Sequence, residues 1–185
     1  GAGLGLLLCL TFTTGVYAEN TNDVVIKDSF DVNIKGGSFE LTTSPLQEFG
    51  EITIEIDDIK YSTSFERAFI VKDLRGLDDN WQLTVSSSTL RNKTRNLEFP
   101  NVLSISQLNK IERQGNTTFQ ALPEINHFTE SILDDGDVLI ANSKNGSGAG
   151  QFALTFPNEA IHITVTPEMK QGQYEFTLNW NLLSV

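Results

Sequence analysis

The chain has a single cysteine, Cys9, and it lies inside an apolar run near the start. A disulfide framework and a cysteine-based zinc site are therefore excluded. Histidine is almost as scarce, with only His127 and His162. Neither belongs to a His-Glu-x-x-His zinc motif, and no Gly-x-Ser-x-Gly nucleophile elbow is present. The expectation is a protein without catalytic residues, metal or cofactor. Basic side chains are few as well: 13 Lys and Arg face 24 Asp and Glu, a formal net charge of −11. Nucleic-acid phosphates demand basic patches, so that class of partner is excluded. Adhesion to anionic polymers is disfavoured on the same ground, whereas an uncharged glycan or another protein is an easier partner. Beyond the first residues, no apolar run is long enough to span a bilayer.

The N-terminal residues predict export. Residues 4–10 are apolar and residues 11–17 are small or apolar. Val16-Tyr17-Ala18 then stands as an Ala-x-Ala-like cleavage site before Glu19. The expected organisation is a signal peptide over residues 1–18 and one domain over residues 19–185. A lipoprotein reading of Cys9 is weaker, because Leu7-Leu8-Cys9 lacks a small residue before the cysteine. The last residues carry no Leu-Pro-x-Thr-Gly sorting motif, so non-covalent attachment is expected of any surface location.

Alternation of apolar and polar residues predicts an all-β chain. Asp31-Val-Asn-Ile-Lys35, Ile52-Thr-Ile-Glu-Ile56, Trp81-Gln-Leu-Thr-Val85 and Ile161-His-Ile-Thr-Val165 all alternate. The longest case puts Tyr174, Phe176, Leu178, Trp180 and Leu182 on one face of a single strand. Such strands need a second layer over their apolar face. The expected fold is an antiparallel β-sandwich with a long polar loop insertion over residues 113–137, and a short helix over residues 127–133 within it. Asp134-Asp-Gly-Asp137 reads as a solvated turn. A Ca²⁺ loop is the alternative, but the EF-hand spacing is missing. The sequons at Asn92, Asn116 and Asn145 would suggest glycans only in a eukaryotic secreted protein. The basic loop Arg91-Asn-Lys-Thr-Arg95 reads as a solvated turn, with an acidic partner as the alternative.

Both tryptophans of the chain sit in the same signature, Trp-x-Leu: Trp81-Gln-Leu83 and Trp180-Asn-Leu182. Val71-Lys-Asp-Leu-Arg-Gly76 precedes the first. Gly146-Ser-Gly-Ala-Gly150 and Phe152-Ala-Leu-Thr-Phe156 lie between the two, and Gly37-Ser-Phe-Glu-Leu41 with Phe49-Gly50 opens the run. In this order and context the chain resembles the WxL-domain family of bacterial cell-wall-binding proteins. The resemblance implies a small, secreted surface protein of a Gram-positive bacterium, held non-covalently on the wall, with peptidoglycan as partner. Attachment through larger WxL or WxL-interacting surface proteins is the other arrangement it allows. It implies that Trp81, Leu83, Trp180 and Leu182 carry wall attachment, supported by Asp73, Arg75, Gly76, Tyr174 and Leu178.

The indoles have two available roles, stacking on wall sugars or packing in the core. Their place on the apolar side of alternating strands favours the core. Burying both rings is simplest if the motifs converge on one patch, its wall extended by Tyr174 and Phe176. Substitutions of Trp81 and Trp180 are then expected to be non-additive.

Overall fold

The computed structural model describes residues 23–185 and the backbone of residues 13–18. The apolar run over residues 4–10, Cys9 and Glu19 lie outside the described residues. The chain divides into two compact units, residues 1–36 and 37–185. In the first, β1 (Thr13–Ala18) and β2 (Val24–Ser29) form an antiparallel hairpin with Ala18 opposite Val24. The residues that follow it, 30–36, are assigned to no strand, and Ile34 is 93% exposed. The strand expected at residues 31–35 is therefore absent. Alternation says which side chains share a face, but a strand also needs a neighbour to bond to.

The second unit is all-β and antiparallel, and no helix occurs among the described residues. One sheet is ordered β10 (Lys110–Gln114), β14 (Gly150–Thr155), β5 (Phe69–Asp73), β3 (Phe39–Thr42). A second is ordered β11 (Glu124–Ile125), β13 (Val138–Asn142), β6 (Trp81–Ser87), β17 (Leu178–Ser184). They lie face to face. Trp81 of β6 meets Phe152 of β14 with ring centroids 6.4 Å apart. Trp180 of β17 meets Phe69 of β5 at 4.6 Å. The inward residues follow the period of two: Phe69 and Val71 on β5, and Trp81, Leu83 and Val85 on β6, are all buried.

A third sheet is ordered β12 (Glu130–Ile132), β9 (Leu103–Ser106), β15 (Ile161–Val165), β4 (Ile59–Thr63). It joins the end of β6 through Leu133, whose carbonyl accepts from the Ser87 N–H at 2.8 Å and whose N–H donates to Leu103 at 2.9 Å. A fourth, ordered β16 (Tyr174–Glu175), β7 (Leu90–Asn92), β8 (Leu97–Phe99), completes the unit. Ile161, Ile163 and Val165 turn their side chains into the same core.

Four further expectations are corrected. Residues 113–137 are not one long loop, because β11 and β12 sit at sheet edges and divide the stretch into three shorter connections, residues 115–123, 126–129 and 133–137. The helix expected at residues 127–133 is replaced by β12, whose Glu130, Ser131 and Ile132 pair with Ser106, Ile105 and Ser104 of β9. Non-local pairing overrides the local pattern there. The long strand expected from Tyr174 to Leu182 breaks at residues 176–177, so β16 joins β7 while β17 joins β6. Residues 52–56 alternate but also lack a ladder. Thr53 is held only by the Tyr61 hydroxyl, which donates to its carbonyl at 3.1 Å and accepts from its N–H at 3.4 Å.

Candidate functional site

The two Trp-x-Leu motifs meet on neighbouring strands. β17 runs antiparallel to β6, with Leu182 directly opposite Leu83, Trp180 opposite Val85 and Ser184 opposite Trp81. A local two-fold axis between the leucines relates Trp81 to Trp180. The tryptophans therefore lie at opposite ends of one apolar face, about 13 Å apart along the strands, with the Leu83–Leu182 pair between them.

Trp81 is wholly enclosed, with 0% of its surface exposed. Its indole N–H donates to the carbonyl of Gly148 at 3.1 Å. Its backbone N–H donates to Ser143 Oγ at 2.9 Å, and its carbonyl accepts from the Ser143 N–H at 2.8 Å. These partners satisfy every polar group that the burial of this tryptophan takes from water. The glycine-rich turn between β13 and β14 is shaped by the same ring. A Cβ at Gly148 would land on the Trp81 indole nitrogen and on Ser143. Trp180 is half-buried and forms an aromatic cluster with Phe69, Phe156 at 5.8 Å and Phe65 at 5.9 Å. Leu182 and Leu178 are half-buried beside it.

The Asp73-x-Arg75-Gly76 run forms a clamp at the Trp81 end of the ladder. Arg75 Nε and Nη2 donate to the two carboxylate oxygens of Asp73 at 2.9 and 3.0 Å. Arg75 Nη1 reaches across to Ser184 Oγ of β17 at 2.8 Å, and the guanidinium lies 3.8 Å over the Phe39 ring. The bond to Asp73 raises the Arg75 pKa above its usual value. Gly76, at φ 67°, turns the chain away immediately afterwards in a conformation that favours glycine. The clamp ties the end of one sheet to the end of the other.

Tyr174 and Phe176 do not extend the tryptophan patch. Tyr174 belongs to the fourth sheet, packs on Phe99 at 5.9 Å and donates its hydroxyl to the Lys170 carbonyl at 2.5 Å. Phe176 packs on Phe49 at 6.3 Å. Tyr174 instead lines a cleft of about 680 Å³, floored by Ile163, Val165 and Met169 and rimmed by Ile54, Gln171 and Gln173. Ser143, Phe65 and Phe69 escape a reading of the sequence alone, whereas Gly148 and Phe156 lie in the glycine-rich and aromatic runs over residues 146–150 and 152–156.

His162 stands on the outer face of β15 between two serines. Its Nδ1 is 2.6 Å from Ser62 Oγ and its Nε2 is 2.8 Å from Ser106 Oγ. Glu130 bonds to Ser104 and, at 2.7 Å, to Lys60. Burial pushes the His162 pKa down, and Glu130 offsets this only in part. Burial also opposes the charge on Glu130, but the bonds from Lys60 and Ser104 prevail and hold its carboxyl below the usual range. With both ring nitrogens tied to serines and the carboxylate bound elsewhere, the group is built as a polar bridge across the sheet.

Comparison with protein-family models matches residues 20–185 to the WxL domain, described as surface cell wall-binding. The chain belongs to the WxL domain family. No curated protein and no solved structure matches it at a significant level. The match covers the whole second unit, including both Trp-x-Leu motifs, the Asp73–Arg75 clamp and the glycine-rich turn. The family is one of cell wall-binding domains rather than enzymes, and it places this domain at the cell surface on the wall. Among the described residues no helix is long and apolar enough to cross a membrane, and no cluster of acidic residues, His or Cys is built to hold a metal.

Proposed function

We propose that this WxL domain attaches non-covalently to the wall by direct contact with peptidoglycan, and that its Trp-x-Leu motifs act by holding the β6–β17 ladder. The observation that carries this reading is the enclosure of Trp81, whose N–H is already bonded to Gly148. An indole so placed offers no face to a sugar. Attachment then rests on a surface the ladder supports. We assign that surface to the cleft beside Tyr174, where an apolar floor and an amide rim suit a neutral glycan. The net charge of −11 also favours glycan over anionic wall polymers.

The test is binding of the purified chain to sacculi stripped of teichoic acid and protein. Binding that survives stripping, and that falls in Ile54→Asp and Gln171→Ala without loss of melting temperature, supports direct attachment through the cleft. Binding that returns only when a second surface protein is added supports the other reading, in which larger WxL or WxL-interacting partners bridge to the wall. That reading is favoured by Ile56, which is 90% exposed in a segment without a ladder. Export belongs to the same proposal: a signal peptide over residues 1–18 and a mature chain from Glu19. Cleavage there would remove β1 and leave β2 without its partner.

A further inference from the structure

Among the described residues β6 is the sole ladder partner of β17, which therefore closes its sheet on one side. It is the longest edge strand of the second unit, seven residues against five or fewer in the others. It is also the one edge strand there that contains no charge. β3 has Glu40, β4 Lys60, β8 Glu98, β10 Lys110 and Glu112, β11 Glu124, β12 Glu130 and β16 Glu175. Charges on edge strands are how sheets keep other strands from adding on. β17, Leu-Asn-Trp-Asn-Leu-Leu-Ser, has neither charge nor proline.

The phase of its backbone is fixed. Asn80 and Val185 exchange both hydrogen bonds, at 3.0 and 2.9 Å, so the odd-numbered residues of β17 bond inward to β6. The N–H and C=O groups of Leu178, Trp180, Leu182 and Ser184 therefore point to the open edge. The backbone of the second Trp-x-Leu motif is itself the free template.

We propose that this edge pairs with β17 of a second copy, antiparallel about a two-fold axis at Trp180. In that register Trp180 meets Trp180, Leu178 meets Leu182 and Asn179 meets Asn181. Apolar residues stay on the core side, and the asparagines hydrogen-bond across the outer face. The pairing adds about six backbone hydrogen bonds and runs the two four-stranded sheets into one. A self-complementary patch is what a two-fold interface requires. The edge itself carries no charge, so it offers a charged segment nothing to pair with, and two chains of net charge −11 meet here without like charges at the contact. The inference holds whatever the wall ligand is.

Sedimentation equilibrium of the full chain over a range of concentrations tests it, with Asn179→Lys/Asn181→Lys as the variant. Both asparagines are exposed and point away from the core, so the melting temperature is expected to stay put. Across the two-fold the new lysines oppose each other. The expected result is a dimer mass for the parent that falls about twofold in the variant, and a parent dimer that added salt does not dissociate. A parent that is monomeric at every concentration overturns the proposal. A dimer that persists in the variant, or a monomer that takes up an extended peptide at this edge, overturns it too.

Discussion

Leu83 and Leu182 are direct cross-strand partners, each the third residue of its own Trp-x-Leu motif. The doubled signature is thereby one object in space: two dyad-related copies in a single antiparallel ladder. A slip of β17 by one residue against β6 would turn Trp180 and Leu182 out of the core.

Truncating either tryptophan should act through stability. Trp81→Ala is expected to cost about 3–5 kcal/mol, and Trp180→Ala less because its ring is only half-buried. The two rings pack on different neighbours, Phe152 for one and Phe65, Phe69 and Phe156 for the other. At that separation the losses should add to within about 0.5 kcal/mol, in place of the coupling that a shared patch implies. Denaturant titration of the three variants checks this. Wall binding that vanishes while the transition midpoint holds would restore the rings as a sugar platform.

Gly148→Ala should be as harmful as a core substitution although it lies in a turn. The added methyl has no room beside the Trp81 indole and Ser143, and overpacking of this kind costs about 1–3 kcal/mol. Gly115→Ala is the control, since its Cβ would meet open space and only its φ of 91° resists the change. Thermal melts should show the larger drop at Gly148.

Arg75→Ala should loosen the last residues of β17. Asp73 is buried and would lose its counter-charge, at a cost of about 3–5 kcal/mol for a pair of this kind. Arg75→Lys should recover only part of this, because an ammonium cannot make the two-pronged bond to Asp73 and also hold Ser184. Amide exchange at residues 182–184 should quicken in both variants. Unchanged protection there would mean that the clamp does not hold the strand.

Acidification should weaken the fold through His162. Its pKa is lowered in the folded chain, so the unfolded chain binds the proton more readily. The contribution is in place above the unfolded value of 6.5 and is lost as pH falls through the lower folded one. Glu130, also lowered, adds a second loss below its ordinary 4.5. Melting temperatures from pH 7.5 downward should decline first through the histidine range. His162→Gln should flatten that first decline and leave the more acidic one.

Mass spectrometry of the exported protein should find Glu19 at its N-terminus. A secreted form that retains residues 4–10 would rule out the cleavage proposed here.

Much of this protein was decided by the order of its side chains. The alternation in Trp81-Gln-Leu-Thr-Val85 and Ile161-His-Ile-Thr-Val165 fixes strand type and inward face, because the pleat has a period of two. The doubled Trp-x-Leu with Val71–Gly76 marks the family. The same alternation in residues 31–35 and 52–56 produced no strand, since a ladder needs a neighbour that local pattern cannot supply. Glu130–Ile132 became a strand for the opposite reason, because β9 was there to receive it. Only the tertiary structure pairs Leu83 with Leu182, seats the Trp81 N–H on Gly148 and carries Arg75 across to Ser184. Those contacts join residues far apart in the chain, so they are set by packing and register rather than by any spacing a sequence displays.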